Sequence, residues 1–312
     1  MSKDCILSIV IPCFNLSNTV RACLDSILQQ NIDNIEIICI DDGSTDDTAT
    51  VLLEYSKRIV IIQNEHNGVS ETRNIGRKYA KGEWIWFVDG DDVIATNAIA
   101  TVKANLDERY DALLFGALVE NGDSKYSLDN LSVPNAVLEG QDVFDKWITN
   151  ITYPFVWNCV YKKSFLQKNQ IEFDNSLVIG EDMAFQFAVF SKANSCKLIS
   201  IPIYIYRYLC RNSSMNKALK ENMTIYHLKV LAVVLENASN LSWQQHNKIF
   251  RWSYEYIVKS CFDSYEYLVP LHKIWKKFHG RLPFCSMKLR VKGAILRYWI
   301  TTKIYINYRK KK

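Results

Sequence analysis

The sequence predicts an α/β fold built on a doubly wound, mostly parallel sheet, and three observations carry that reading. Short apolar runs alternate with amphipathic helical stretches over the first 115 residues, the order that sets strands side by side with helices on both faces. The runs are almost continuously apolar, as strands buried on both faces require. Two acidic clusters stand directly behind two of these runs, at the edge where such a sheet binds its ligands.

The elements follow in order. Ile6–Ile11 is the first strand. A helix starts at about Ser17, capped by Ser17 or Asn18, and Val20, Cys23, Leu24, Ile27 and Leu28 share one face at spacings of three and four. Ile35–Ile40 is the second strand. Thr45 or Asp46 opens a helix holding Val51, Leu52 and Tyr55, and Ile59–Ile62 is the third strand. Ser70 caps a helix that turns Ile75 and Tyr79 inward and stops before Gly82. Trp84–Val88 and Ala112–Phe115 are strands four and five, with right-handed connections expected. Residues 120–140 read as a polar loop. Helices are expected near 141–150, 163–169 and 181–193, and strands near 156–161 and 197–207. From about 216 the pattern is almost wholly helical.

Composition narrows the class. Of 312 residues, 48% are hydrophobic and 23% charged, which excludes a mainly disordered chain. The net charge of +5 hides an asymmetry. Residues 273–312 hold 13 Lys and Arg and no acid, so the first 272 residues carry 25 basic against 33 acidic side chains, a net of −8. An acidic body with a basic tail points to a polyanion, either a lipid surface or nucleic acid. Nine cysteines stand singly, with no C-x-x-C. That argues against a disulfide framework or zinc site and suits a reducing cytosol. The first apolar run is too short for a signal peptide, and no stretch has the length of a membrane span.

The acidic clusters are Asp41-Asp42-Gly43-Ser44 after strand two and Asp89-Gly90-Asp91-Asp92 after strand four. Carboxylates gathered at one sheet edge repel one another unless a cation or hydrogen-bond donors compensate. A hard divalent cation would do so, taking one or two carboxylates together with phosphate oxygens of a substrate. The turn after the first strand, Pro12-Cys13-Phe14-Asn15-Leu16, contains no glycine. It therefore lacks the dinucleotide fingerprint, and the chain has no Walker loop. Asp46 and Asp47 read as turn and cap residues, and His66 as a surface residue.

Five blocks now resemble a known family. Ser8–Asn15, Ile40–Asp46, Asn67–Gly76, Gly82–Asp92 and Gly180–Phe185 look, in order and spacing, like the successive motifs of family 2 glycosyltransferases. The resemblance covers about residues 4–210. It implies the GT-A fold, a nucleotide-sugar donor, usually a UDP-sugar, and inversion at the transferred sugar. Mapped onto this chain, it implies that Pro12 and Phe14 line the nucleobase pocket and that Asp42 bonds the base. Arg73 lies near the nucleotide. Asp89 and Asp91 form the D-x-D pair, with Asp91 the direct ligand of Mn²⁺ or Mg²⁺ and Asp89 on the ribose or a metal-bound water. Asp182 is the general base. Glu181 orients Asp182, meets the acceptor or favours a helix start, and Arg207 and Arg211 contact the diphosphate or sit as solvated arginines. These assignments divide the chain into a catalytic domain, 1–210, with a nucleotide-binding half 1–115 and an acceptor half 116–210, and a helical C-terminal region, 211–312.

The tail adds Trp275, Phe278, Phe284, Tyr298, Trp299, Tyr305 and Tyr308 to its basic residues. That mixture suits a membrane interface and carries no nucleic-acid motif, so nucleic acid is not expected as a partner. The expected protein is a peripheral enzyme of the cytoplasmic membrane face. It would move sugar from a UDP-sugar to a lipid-linked saccharide in O-antigen, capsule or exopolysaccharide synthesis. Pocket residues between about 153 and 180, Trp157 and Asn158 among them, are expected to shape the acceptor site. The rivals are a sugar nucleotidyltransferase and an inactive saccharide-binding module.

Overall fold

The structure is a computed structural model that describes residues 5–122, 124–128, 135–150 and 155–207, with the single positions 230, 233, 234, 245 and 248. The chain divides into two units, residues 1–220 and 221–312, and the sheet with its helices belongs to the first. Arg211 and the basic tail lie outside the described residues, as do the helices expected beyond 216 apart from those single positions.

The strands are β1 (Leu7–Cys13), β2 (Ile35–Asp41), β3 (Val60–Gln63), β4 (Trp84–Phe87), β5 (Val93–Ile94), β6 (Ala112–Asn121), β7 (Ser124–Leu128), β8 (Ala136–Glu139), β9 (Cys159–Lys162) and β10 (Ser195–Arg207). The helices are α1 (Val20–Leu28), α2 (Thr48–Glu54), α3 (Val69–Tyr79), α4 (Ala98–Asn105), α5 (Gln141–Asn150), α6 (Lys163–Lys168) and α7 (Glu181–Lys192), with a 3₁₀ turn over Val156–Asn158 before β9. The strands join in the order β3-β2-β1-β4-β9-β6-β10-β5, with β7 beside β6 and β8 beside β10.

The first four neighbours, β3-β2-β1-β4, are parallel as the alternation predicts. Beyond β4 the sheet is mixed. β9 runs antiparallel to both β4 and β6, and β10 is parallel to β6 but antiparallel to β5 and β8. The region expected as a polar loop, 120–140, in fact carries the end of β6 with β7 and β8. β7 and β8 are only five and four residues long, too short to carry a clear apolar period in the sequence. The stripe Val20, Cys23, Leu24, Ile27 and Leu28 on α1 is buried as its spacing requires. Helix α3 is preceded by Gly68, at φ +89°, rather than capped by Ser70. Ser70 lies in its first turn and donates to the Leu177 carbonyl.

Helix α3 lies tight against the sheet because Gly76 faces it. A Cβ there would come within 2.2 Å of Val10 Cγ1 and 2.8 Å of Ile40 Cδ1. Overpacking a core costs about 1–3 kcal/mol, against a helix-propensity gain of about 1 kcal/mol, and the 2.2 Å approach puts this position at the costly end. Gly76→Ala is expected to lower the urea midpoint at unchanged slope, a net loss of about 2 kcal/mol in equilibrium unfolding.

Candidate active site

Strand β1 has β2 on one side and β4 on the other, so the chain lays strands first to one side of β1 and then to the other. The crevice outside the carboxyl ends at that reversal is where an open α/β sheet binds ligands. The structure brings Pro12 at the end of β1, Phe14 after it, Asp42 after β2, and Asp89 and Asp91 after β4 to this one edge.

Phe14 and Asp42 meet through a residue read as surface. The His66 ring stacks on Phe14 at 4.0 Å between centroids, and its Nδ1 lies 2.9 Å from Asp42 Oδ2. The Asp42 side chain is only 3% exposed. It accepts hydrogen bonds from the backbone N–H groups of Asn67 and Gly68 at 3.0 and 2.9 Å and from Asn64 Nδ2 at 3.2 Å. Asp42 therefore holds the loop before α3 against the end of β2. Asp46 is a turn residue in front of α2, whose N-cap position is Asp47: Oδ1 accepts from the Thr48 N–H and Oδ2 from the Ser17 N–H.

The centre of the site is Arg73, projected from α3 and 3% exposed. One guanidinium reaches three acids: Asp89 Oδ1 at 2.8 Å, Asp182 Oδ1 at 2.7 Å and Glu181 Oε1 at 3.0 Å. Its carbon also sits 5.2 Å from the centroid of the Phe173 ring. Glu181 and Asp182 open α7 behind Gly180, at φ +80°, where a helix N-terminus favours negative charge. The counter-charge expected from a bound cation is thus supplied in part by the chain itself. Of the roles expected for Glu181, the structure shows the helix start, in the first turn of α7; its pairing with Arg73 was not among them.

The surrounding acids differ. Burial, then the negative charge of Asp89, pushes the Asp91 carboxyl up to about 6. Asp92 is buried and is also pushed up, by burial and then by Asp91 and Asp89. It accepts hydrogen bonds at 2.7 Å from Tyr204 Oη and from the Arg207 N–H. The Tyr204 hydroxyl also accepts the Asp89 N–H at 3.1 Å. Burial raises the affinity of Asp182 for a proton, with the Arg73 charge opposing it, a balance that suits a general base. The Arg207 side chain turns to Glu120, with Nε 3.1 Å from Oε2. Trp157 and Asn158 are buried, so neither presents a free surface to an acceptor.

Among the described residues no group of three or more His, Cys, Asp or Glu is arranged to hold a metal ion. The acids after β4 nonetheless fit a hard cation. Asp91 is a hard oxygen donor destabilised by burial beside another carboxylate, the condition a divalent ion relieves, and such ions often take only one or two carboxylates. Sequence reasoning had Asp92 in the acidic cluster and His66 at the surface, where its side chain is 56% exposed, but missed Tyr204 and the contacts of all three. Tyr204 and Tyr206 alternate at the end of a strand, and that period-2 aromatic pair was the available signal.

The chain matches the family described as "Glycosyl transferase family 2" over residues 8–169. It is 28% identical over 210 residues to the "Uncharacterized glycosyltransferase EpsJ" of Bacillus subtilis, covering 65% of this chain and 61% of that protein. Its matches to EpsJ and two further curated relatives span 61%, 60% and 37% of their lengths. Among solved structures, S. aureus TarS 1-349 in complex with UDP-GlcNAc superposes with a TM-score of 0.67 at 21% identity, covering 82% of this chain and 72% of that one. The mannosyltransferase PcManGT of Pyrobaculum calidifontis, in complex with GDP-Man and Mn²⁺, gives 0.58 at 14% identity, covering 96% and 84%. At these identities the two structures speak for the fold, the GT-A arrangement of a central sheet flanked by helices. With more than half of its 312 residues inside the family match, this chain belongs to glycosyl transferase family 2.

Proposed function

We propose that this protein is an inverting glycosyltransferase that moves a sugar from a UDP-sugar to an acceptor hydroxyl, with Asp182 as the general base. The observation that carries this reading is the Arg73 bridge, which holds Asp89 of the D-x-D pair and Asp182 on one buried guanidinium. An inverting displacement needs a group on the leaving diphosphate and a base on the acceptor, at fixed separation and on opposite sides of the anomeric carbon. Asp182 takes the acceptor's proton as its oxygen bonds to the anomeric carbon, and the bond from that carbon to the diphosphate breaks, releasing UDP. Pro12, Phe14 and Asp42 frame the nucleobase end. Asp91, with Asp89, would hold Mn²⁺ or Mg²⁺, which when bound neutralises charge on the departing diphosphate. UDP-GlcNAc in the TarS complex and Mn²⁺ in the mannosyltransferase complex support the donor class and the metal.

The acceptor we propose is a lipid-linked saccharide in a surface-polysaccharide pathway, such as O-antigen, capsule or exopolysaccharide. The basic, aromatic segment 273–312 would dock the enzyme on the anionic cytoplasmic leaflet. A full-length protein docked in this way should co-sediment with anionic but not with neutral vesicles. Added salt should weaken that binding, since a Debye length of about 8 Å at physiological ionic strength limits surface attraction.

A panel of nucleotide sugars scored for UDP release tests the activity. Turnover should stop with chelator and return with Mn²⁺ or Mg²⁺, and release of pyrophosphate instead would favour a nucleotidyltransferase. Asp91→Asn should lose donor binding, measured by UDP-sugar titration. Asp182→Asn should keep donor binding while kcat falls by about 10²–10⁴, and unchanged turnover in either variant would overturn the assignment.

Removing Arg73 tests the bridge itself. Arg73→Gln leaves three carboxylates without their shared partner, and breaking a buried ion pair costs about 3–5 kcal/mol. The variant should melt well below the parent in thermal denaturation, with Arg73→Lys recovering part of the loss.

A further inference from the structure

The nucleobase end of the site is closed by one of the chain's own rings. Phe14 stands on the loop after β1. Asn15, at φ +55°, ties that loop to the next: its N–H donates to Ser44 Oγ at 3.0 Å and its Oδ1 accepts the Thr45 N–H at 2.8 Å. The backbone at His66 lies close against Gly43, where a Cβ would come within 3.1 Å of the His66 nitrogen. Between these two anchored backbones the imidazole lies on Phe14, with 4.0 Å between centroids and the planes 18° from parallel. That separation is ordinary contact distance between two rings and leaves no room for a third.

The same imidazole fills the last acceptor position of Asp42. A carboxylate offers about four lone-pair positions, and here all are taken. Oδ1 accepts from Asn64 Nδ2 at 3.2 Å and from the Asn67 N–H at 3.0 Å, and Oδ2 accepts from the Gly68 N–H and from His66 Nδ1, each at 2.9 Å. Nδ1 also lies 3.2 Å from the Asp42 carbonyl oxygen. Both neighbours of Nδ1 are acceptors, so this nitrogen carries the proton. Of the four donors, two are backbone groups and Asn64 is part-buried. The His66 side chain is 56% exposed, against 3% for Asp42, and is the donor that can leave by turning about its own side-chain bonds.

A flat ring that lies on Phe14 and gives an N–H to Asp42 has the recognition chemistry of uracil. Linked to ribose, uracil is planar and keeps one ring N–H, between two carbonyls. It cannot make either contact while the imidazole holds both. We propose that His66 is a stand-in for the nucleobase: it satisfies Phe14 and Asp42 in the empty site and swings out to solvent when UDP or a UDP-sugar enters. One side-chain rotation uncovers the stacking face and the acceptor together. The empty site thereby avoids leaving a buried carboxylate short of a donor. In return, the apparent affinity for UDP falls by the fraction of time the ring stands aside, which opposes rebinding of UDP after transfer. This assignment rests on the nucleobase end proposed above and deepens it.

Titration of the full-length protein with UDP and Mg²⁺ tests it. His66→Ala frees both contacts and should tighten UDP binding about three- to tenfold. The gain should come from faster association, measured by stopped flow, with dissociation close to the parent's. Inorganic pyrophosphate, which has no base, should bind parent and variant alike. In protein labelled with ¹³C at histidine, the His66 Cε1–Hε1 signal is the one of five that His66→Ala lacks, and UDP should move it out of the Phe14 ring current. The stand-in is overturned if His66→Ala binds UDP no more tightly than the parent, since the ring would then belong to the occupied pocket or to neither state. It is also overturned if pyrophosphate shows the same gain, or if the His66 signal keeps its position in protein saturated with UDP. A parent that neither binds UDP nor releases it from any UDP-sugar would instead sink the glycosyltransferase reading.

Discussion

A single guanidinium buried among carboxylates is the constraint on which the rest of this site depends. Taking Arg73 out of water costs several kcal/mol after relaxation, and only close, well-aligned acids repay it. Those acids come from the loop after β4 and from the first turn of α7. The ion pairs therefore decide how α7 meets the edge of the sheet. They also set the distance between the acids assigned to the donor and the acid assigned to the acceptor. The approach of α3 that makes this possible depends on Gly76, which lets the helix lie against Val10 and Ile40.

The apolar side of Arg73 is built with equal economy. Phe173 carries the guanidinium over its ring, stacks on Phe185 of α7 at 4.0 Å and meets Phe87 of β4 edge-on at 5.1 Å. Asn74, next to Arg73, holds the Phe173 backbone on both sides, accepting its N–H and donating to its carbonyl. The elements that deliver the charges thus also hold Phe173, from the loop between α6 and α7, against the guanidinium. In a water-poor site electrostatic contacts strengthen, which is the condition a charge-stabilising active site requires.

Charge at this edge is sorted rather than cancelled. Arg73 serves Asp89, Glu181 and Asp182. Asp92 is satisfied by Tyr204 and a backbone N–H, and Asp42 by the loop before α3. Asp91 shares with Asp92 and Asp182 a proton affinity raised by burial beside other carboxylates. Of the two explanations the clustered acids first allowed, compensation by a cation or by internal donors, the structure supplies the second for Asp42, Asp89, Asp92, Glu181 and Asp182.

Much of this was legible beforehand. The α1 stripe, the parallel run of β1 to β4 and the gathering of Phe14, Asp42, Asp89 and Asp91 at one edge all follow from local rules, because apolar periodicity and strand-end position are properties of short segments. The five blocks pointed to family 2 in the same local way. The partners of those residues were not local. Arg73 finds Asp89 sixteen residues away and Asp182 more than a hundred away, and Tyr204 finds Asp92 across 112 positions. The antiparallel insertion of β9, the strands in the stretch read as loop, and the stack of His66 on Phe14 likewise depend on which distant segments pair. Sequence alone determined which residue types stand at the strand ends and so what chemistry the edge can support. Only the tertiary structure decided which charges neutralise one another, because an ion pair or a ring stack forms through space and leaves no period along the chain.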